Sequence, residues 1–472
     1  MADLLLHRRV RGARMEEKQR NKVLLLLFAG VLMGALDIAI VGPALPAIQA
    51  EFESGTRQMA WVFNIYVLLS LVSTPFMAKL SDRFGRRSIY VLDVALFGLG
   101  SLIVAQSDSF AMLIIGRAVQ AIGAGGVLPV AAAVIGDTFP QEKRGAALGL
   151  IGAVFGIAFL VGPPLAGVIL KYATWHWLFL INLPIALLLM AGAATLLPST
   201  RPAERKPFDV PGMLLLCVLL GALALGITRL DENMPLLGLT SPTVGGPILL
   251  ALVLMPVFWN MEKKAADPVL QPRLFRSRQM IVAGFLAAGT GMAETSGVFL
   301  PSLAVVALGM TVHDASFFML WTVAALVVGS PLAGRLLDRI GSKIVVQAGL
   351  LLTAVGFFCF ALASTSKPVF IAGQLLSGLG LSALLGAPLR YVVLNEAGPN
   401  ERAAAQGLLT VVLSIGQLTG AALVGAIAAS RGAGTAAGYE AGFTAIGTVM
   451  AVTVLAAFLL KSRAEERASA AA

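Results

Sequence analysis

Charge is scarce in this chain. Only 13% of its 472 residues are Asp, Glu, Lys or Arg, about half of the roughly 25% usual in soluble globular proteins. Cysteine and histidine are rarer still, with two and three residues. Cys217 and Cys359 both lie inside apolar runs and read as small hydrophobes, so neither a disulfide framework nor a cysteine metal site is available. His7, His176 and His313 are too far apart for zinc or haem spacing. What fills the chain instead is apolar: 58% of residues by the AVILMFWYC count, with 50 glycines besides. One soluble domain cannot hide that much apolar surface, and a disordered chain would aggregate. Soluble enzyme, secreted scaffold and DNA-binding protein are excluded; a polytopic membrane protein remains.

Runs of about 20 apolar residues are long enough to cross a ~30 Å hydrocarbon layer as helices. Fourteen such runs are expected, at 23–49, 59–78, 89–106, 110–136, 145–170, 177–197, 210–229, 244–260, 280–308, 316–334, 344–362, 368–394, 404–429 and 441–460. The weakest is 244–260, short and interrupted by Pro247 and Pro256. The first run is too long for a signal-peptide core and is expected to stay in the mature protein. Placing the N-terminus inside puts 28 of the 35 basic residues on the cytoplasmic side and five outside, with Arg117 and Arg390 inside spans. The net charge of +10 is therefore a topology signal, not a nucleic-acid footprint, and both termini are expected in the cytoplasm of a cell-membrane protein.

The chain also repeats itself. Residues 78–89 contain Asp82-Arg83-Phe84-Gly85, and residues 334–345 contain Asp338-Arg339-Ile340-Gly341, 256 positions later. A second echo joins Gln141-Glu142-Lys143-Arg144 to Asn400-Glu401-Arg402 and aligns Gly149, Gly162 and Gly167 with Gly407, Gly420 and Gly425, at an offset of 258. Both Asp-Arg-x-x-Gly segments fall in cytoplasmic loops eight spans apart. Two parallel six-helix halves with two helices inserted between them give that spacing. The expected layout is a basic tail (1–22), an N-terminal six-helix bundle (23–197), an insert of two helices with linkers (198–279), a C-terminal six-helix bundle (280–460) and a short tail (461–472).

This arrangement resembles the major facilitator superfamily, and the inserted pair resembles its fourteen-helix drug:proton antiporter branch. The all-α major facilitator fold is what the resemblance implies. It covers about residues 23 to 461 and rests on several motifs. The loop with Asp82, Arg83, Gly85, Arg86 and Arg87 is similar to the family loop that latches the two bundles in the outward-facing state. Asp338, Arg339 and Gly341 form its second copy. The segment Leu-Asp37-Ile-Ala-Ile-Val-Gly-Pro-Ala-Leu-Pro resembles the branch signature of the first helix. The segment around Arg117 resembles the family's fourth-helix motif, whose Arg is linked to proton transfer. Gly152 and Gly156, followed by Gly162-Pro163-Pro164-Leu-Ala-Gly167, resemble the antiporter motif of exporters. Gly152 and Gly156 permit close helix approach, and the two prolines are expected to break the hydrogen-bond ladder and kink the span. The aromatic segment Trp175-His176-Trp177, with Asn182 and Pro184, resembles the branch's sixth-span entry.

A charge at a helix centre costs about 2.5–3.5 kcal/mol on insertion scales, so each needs a reason. Asp37 and Glu294 sit at mid-span and can load a proton; a permanent ion pair for Asp37, or a neutral hydrogen-bonded Glu294, is the structural alternative. Arg117 has no acid three or four residues away, so its partner comes from another helix or a substrate. Asp93 and Arg390, nearer span ends, are expected to snorkel. Asp37, Gln120, Glu294, Thr295 and Gln417 are expected to line a substrate cavity, with Asp37, Arg117 and Glu294 coupling protons.

The expected function is a proton-coupled exporter of amphipathic or lipophilic small molecules. Lipid export on the same fold is the runner-up. No nucleophile–base pair or metal cluster gathers near one face, so a membrane enzyme is disfavoured and no cofactor is expected. The expected partners are the substrate, protons and the bilayer, with the protein acting as a monomer; an adaptor protein leaves no mark in the sequence.

Overall fold

The structure is a computed structural model that describes residues 16–53, 56–198, 209–228, 241–266, 268–270, 272, 274–310, 312–398, 401–432 and 435–466. The start of the basic tail, part of the 198–279 linkers, Asn400 and the last residues of the C-terminal tail lie outside them. Among the described residues there are helices and turns and no strand. Fourteen helices are long and apolar enough to cross a membrane. They are α1 (Glu17–Phe52), α2 (Thr56–Phe84), α3 (Arg86–Ala105), α4 (Phe110–Thr138), α5 (Gln141–Tyr172), α6 (Trp177–Leu196) and α7 (Val210–Thr228). The rest are α8 (Pro242–Lys264), α9 (Arg278–Leu308), α10 (Leu320–Ile340), α11 (Ser342–Leu362), α12 (Lys367–Glu396), α13 (Arg402–Gly432) and α14 (Ala436–Ala457).

Local chemistry sets several of the ends. Ser109, Ser277 and Thr435 cap α4, α9 and α14, each side-chain oxygen accepting the N–H of the residue three positions on. Between α2 and α3, and again between α10 and α11, the chain turns on a single glycine. Gly85 has φ 95° and Gly341 φ 90°, a backbone region that a Cβ makes costly. The repeated glycine of the sequence is thus the repeated turn of the fold.

Three spans are less regular than their hydropathy suggests. In α9 the helix tightens to a 3-10 turn at Gly297–Phe299, three residues past Glu294. In α12 it is interrupted at Gly386, just before Pro388. In α6 a first turn, Trp177–Leu180, precedes the helix Asn182–Leu196. By contrast α5 runs as one helix through Pro163 and Pro164. Pro163 and Pro164 each remove one donor from the hydrogen-bond ladder without ending the helix.

The packing repeats with the sequence. In the first half α3 packs on α4, α2 on α4, α1 on α5 and α3 on α6. In the second, α11 packs on α12, α10 on α12, α9 on α13 and α11 on α14. Each pair is the first shifted by eight helices. Two further contacts cross between the halves, α5 on α10 and α13 on α2, and these are equivalent as well. Of the two large apolar cores, one centres on Tyr90, Phe97 and Val130 and reaches across to Leu337, Ala387 and Leu394 of the second half, and the other lies around Phe357, Phe360 and Phe443. The inserted helices α7 and α8 pair with each other and lean through Leu216 and Leu220 on Leu71 of α2 and Val411 of α13. The outward face of α8 carries exposed Leu249, Leu252 and Val253, as a lipid-facing helix should.

Candidate functional site

The first site is a closed polar network inside the N-terminal half. Asp37 of α1, fully buried, takes Nη1 of Arg117 from α4 at 2.5 Å. Its other oxygen accepts Nε2 of Gln120 at 2.7 Å and Nδ2 of Asn182, from α6, at 3.3 Å. Gln120 and Asn182 both also donate to Ser101 Oγ of α3. Arg117 donates from Nε to the Val62 carbonyl of α2 at 3.2 Å and lies over the Tyr66 ring, 4.3 Å from its centroid. Five helices therefore converge on one ion pair. Removing either partner alone would strand a buried charge, so the pair holds these helices in register. The partner that Arg117 lacks along its own helix is supplied by α1. Ser101 and Tyr66 are not legible as site residues in the sequence, because a lone Ser or Tyr in a span carries no distinctive pattern; Asn182 stands out there only as part of the sixth-span motif.

The second site is a cavity of about 220 Å³ between the halves. The N-terminal half contributes mainly apolar and small residues, among them Met33, Ile38, Phe97, Leu128 and Phe155. The C-terminal half contributes Glu294, Arg390, Thr410, Ser414 and Gln417. Gln417 Nε2 donates to Glu294 Oε2 at 2.8 Å. Arg390 Nη1 reaches Gln406 Oε1 at 3.3 Å and Thr410 Oγ1 at 3.5 Å, while Gln406 Nε2 donates back to the Arg390 carbonyl. Asp37, Gln120 and Thr295 do not line this cavity. Asp37 and Gln120 are sealed in the network, and Thr295 Oγ1 turns back to the Gly291 carbonyl of its own helix.

Two further expectations are corrected here. Arg390 does not snorkel: it is 7% exposed and faces the cavity. Asp93 does not snorkel either. It is wholly buried, and both carboxylate oxygens lack a hydrogen-bond partner among the described residues. They press instead against Gly126 of α4, where no Cβ stands in the way. Position along a span suggested escape to the interface, but the rotation of each helix points these side chains inward.

A third cluster joins the halves at the end that carries both Asp-Arg-x-x-Gly turns. Asp82 accepts the backbone N–H groups of Ala403 and Ala404, at 3.2 and 2.7 Å, at the start of α13. Asp338 accepts those of Gly145 and Ala146, at 3.0 and 2.9 Å, in the first turns of α5. Asp82 satisfies first-turn donors that the α13 N-terminus leaves open, whereas Gly145 and Ala146 are the fifth and sixth residues of α5, so Asp338 lies against the positive end of that helix one turn in. Asp82 is also paired with Arg86, which in turn contacts Asp137, and Asp137 receives Arg402 at 2.7 Å. Arg83 lies beside Phe84, Arg87 is half-buried and Arg339 is exposed.

Above this cluster a glycine face lets α5 approach the other half. A Cβ on Gly149 would stand 3.0 Å from the Gly334 Cα, and one on Gly152 2.5 Å from the Gly386 Cα. Gly156 faces Val327 and Gly162 faces Ala39, whereas Gly167 faces open space. Ser330 Oγ donates to the Gly149 carbonyl at 2.8 Å across the seam. Among the described residues no group of His, Cys, Asp and Glu is arranged to hold a metal ion.

Two pseudo-equivalent helical halves, a cavity between them and a seam that closes one end define a multi-pass membrane transporter. The comparisons give the family. The sequence matches the Major Facilitator Superfamily over residues 27–293 and 280–472. It is 37% identical to an MFS-type transporter of Bacillus subtilis, YfiU, over 85% of this chain and 78% of that one. It is 29% identical to the multidrug transporter protein MdtP of the same organism, over 88% and 77%. Among solved structures, the human organic anion transporter MFSD10 (TETRAN) superposes with a TM-score of 0.67 at 17% identity, covering 94% of this chain and 100% of that chain. This chain belongs to the Major Facilitator Superfamily.

Proposed function

We propose that the protein is a proton-coupled exporter of amphipathic small molecules that works by alternating access, with both termini in the cytoplasm. Multidrug-type relatives support the substrate class, and the excess of basic residues on one side supports the orientation. With that orientation, the seam of Asp82, Asp338 and the α5 glycines closes the cytoplasmic end. The conformation described above is then the one that faces outward or is shut.

The observation that carries proton coupling is the buried Asp37–Arg117 pair. Its geometry makes protonation a switch: a proton on Asp37 cancels the carboxylate charge, leaves Arg117 without its counter-ion and favours another arrangement of five helices. Glu294 offers a second carboxylate, within the cavity, where a proton and a cationic substrate group would compete. A bias of a few kcal/mol at either is enough to shift a two-state equilibrium strongly.

The test is transport in proteoliposomes with an imposed pH gradient, using a fluorescent amphipathic cation as cargo. Wild type should accumulate dye against its gradient. Asp37→Asn and Glu294→Gln should lose gradient-driven accumulation while retaining downhill movement. Full gradient-driven transport in both variants would sink the coupling assignment.

A further inference from the structure

Among the described residues, Arg390 is a buried cation with no carboxylate in contact with it. Guanidinium does not give up its proton inside proteins, so burial cannot neutralise it. Its side-chain bonds, among the described residues, are two long contacts from Nη1 to the neutral Gln406 and Thr410. Among the described residues no carboxylate lies within ion-pair distance of it. Glu294 lines the same cavity wall and is held through Oε2 by Gln417, while Oε1 takes no hydrogen bond from the described residues. The two charges thus share one small cavity without touching, and each retains unused hydrogen-bonding capacity. The opposite wall is mainly apolar, with Tyr66, Ser70 and Thr74 its polar members.

We propose that Arg390 and Glu294 form a dipolar head-group site, which takes an amphipathic zwitterion with its anionic group on Arg390 and its cationic group on Glu294. A guanidinium fork suits a carboxylate, sulfonate or phosphate by paired hydrogen bonds. An ammonium group suits the free oxygen of Glu294. A purely cationic ligand would add charge beside Arg390, and a purely anionic one would add charge beside Glu294. Only a ligand carrying both signs leaves neither buried charge opposed. At about 220 Å³ the cavity is smaller than the roughly 300–1,000 Å³ of sites that enclose drug-sized ligands. It therefore fits a polar head and the start of an apolar body laid against Phe155 and Leu128. This deepens the export reading and rests on it: a proton would displace the cationic end from Glu294 while Arg390 keeps the anionic end oriented.

The test is equilibrium binding to the full-length protein in lipid nanodiscs, read by fluorescence. The probe is a dansyl-tagged long-chain α-amino acid, compared with its methyl ester (a cation) and its N-acetyl form (an anion). Wild type should bind the amino acid at least about tenfold more tightly than either, about 1.4 kcal/mol. Arg390→Gln should bring amino acid and ester level. Glu294→Gln should bring amino acid and N-acetyl form level, and Arg390→Lys should retain part of the preference. Size-exclusion elution checks folding; if Arg390→Gln aggregates, the wild-type ranking and Arg390→Lys decide. An ester that binds wild type as tightly as the amino acid, or a ranking that Arg390→Gln leaves unchanged, overturns the site. Gradient-driven movement of the ester in proteoliposomes separates the two readings. If it persists while the ranking fails, only the head-group site is lost; if it is absent while the ranking holds, only proton-driven export is lost.

Discussion

Asp338 stands to the first turns of α5 as Asp82 stands to the first turn of α13: each carboxylate takes two consecutive backbone N–H groups from a helix of the other half. The correspondence stops at the next residue that matters. Four positions after Asp82 comes Arg86, buried and paired with it; four positions after Asp338 comes Ser342, which donates to Glu466 of the C-terminal tail. One side of the seam is an ion-paired latch, and the other is a bare carboxylate on a helix end.

That asymmetry predicts unequal effects. Asp82→Asn takes from buried Arg86 one of its two carboxylate partners, leaving Asp137, and should cost about 1.5–3 kcal/mol, the scale of a hydrogen bond to a charged group. Asp338→Asn keeps an acceptor and removes only a negative charge near the α5 N-terminus, and should cost about 0.3–1 kcal/mol. Thermal unfolding in detergent checks the order, which reverses if Asp338 is the main anchor.

The α5 glycine face predicts a graded series. Gly152→Ala drives a methyl into the Gly386 backbone and should cost about 1–3 kcal/mol as overpacking, opening the seam. Gly167→Ala meets nothing within 4 Å and should be neutral or slightly stabilising. Reactivity of cysteines introduced beside the seam, together with melting temperature, reads both effects.

For the Asp37–Arg117 pair the expectation is strong coupling. Arg117→Gln and Asp37→Asn should each destabilise, whereas the double variant should recover much of the loss because no lone charge stays buried. A double-mutant cycle on melting temperature gives the coupling directly; additive losses would show that the pair does not act as a unit.

Asp93 supports the opposite expectation. No cation or donor meets its oxygens among the described residues, so Asp93→Asn removes a buried acid without breaking a bond. The melting temperature should hold or rise. A drop of several degrees would show that this carboxyl has a partner in the assembled membrane protein.

Much of the architecture was legible in the chain itself. Fourteen apolar runs correspond to fourteen helices long and apolar enough to span, including α8, which carries two prolines. Apolar length is a local property, and the bilayer leaves a chain few ways to satisfy its backbone. The duplicated Asp-Arg-x-x-Gly segments foretold the eight-helix shift seen in packing, since two similar stretches facing the same solvent settle into similar pairs. Mid-span Asp37, Arg117 and Glu294 announced themselves because charge is costly there. What the chain could not disclose is which way each of those side chains turns. Pairing Asp37 with Arg117, sealing it away from the cavity, burying Asp93 and aiming Arg390 beside Glu294 depend on the rotation and approach of helices far apart in sequence. Those are decided only when glycine faces meet and the two halves close. Sequence determined which charges lie within the spans; tertiary packing decided which of them meet.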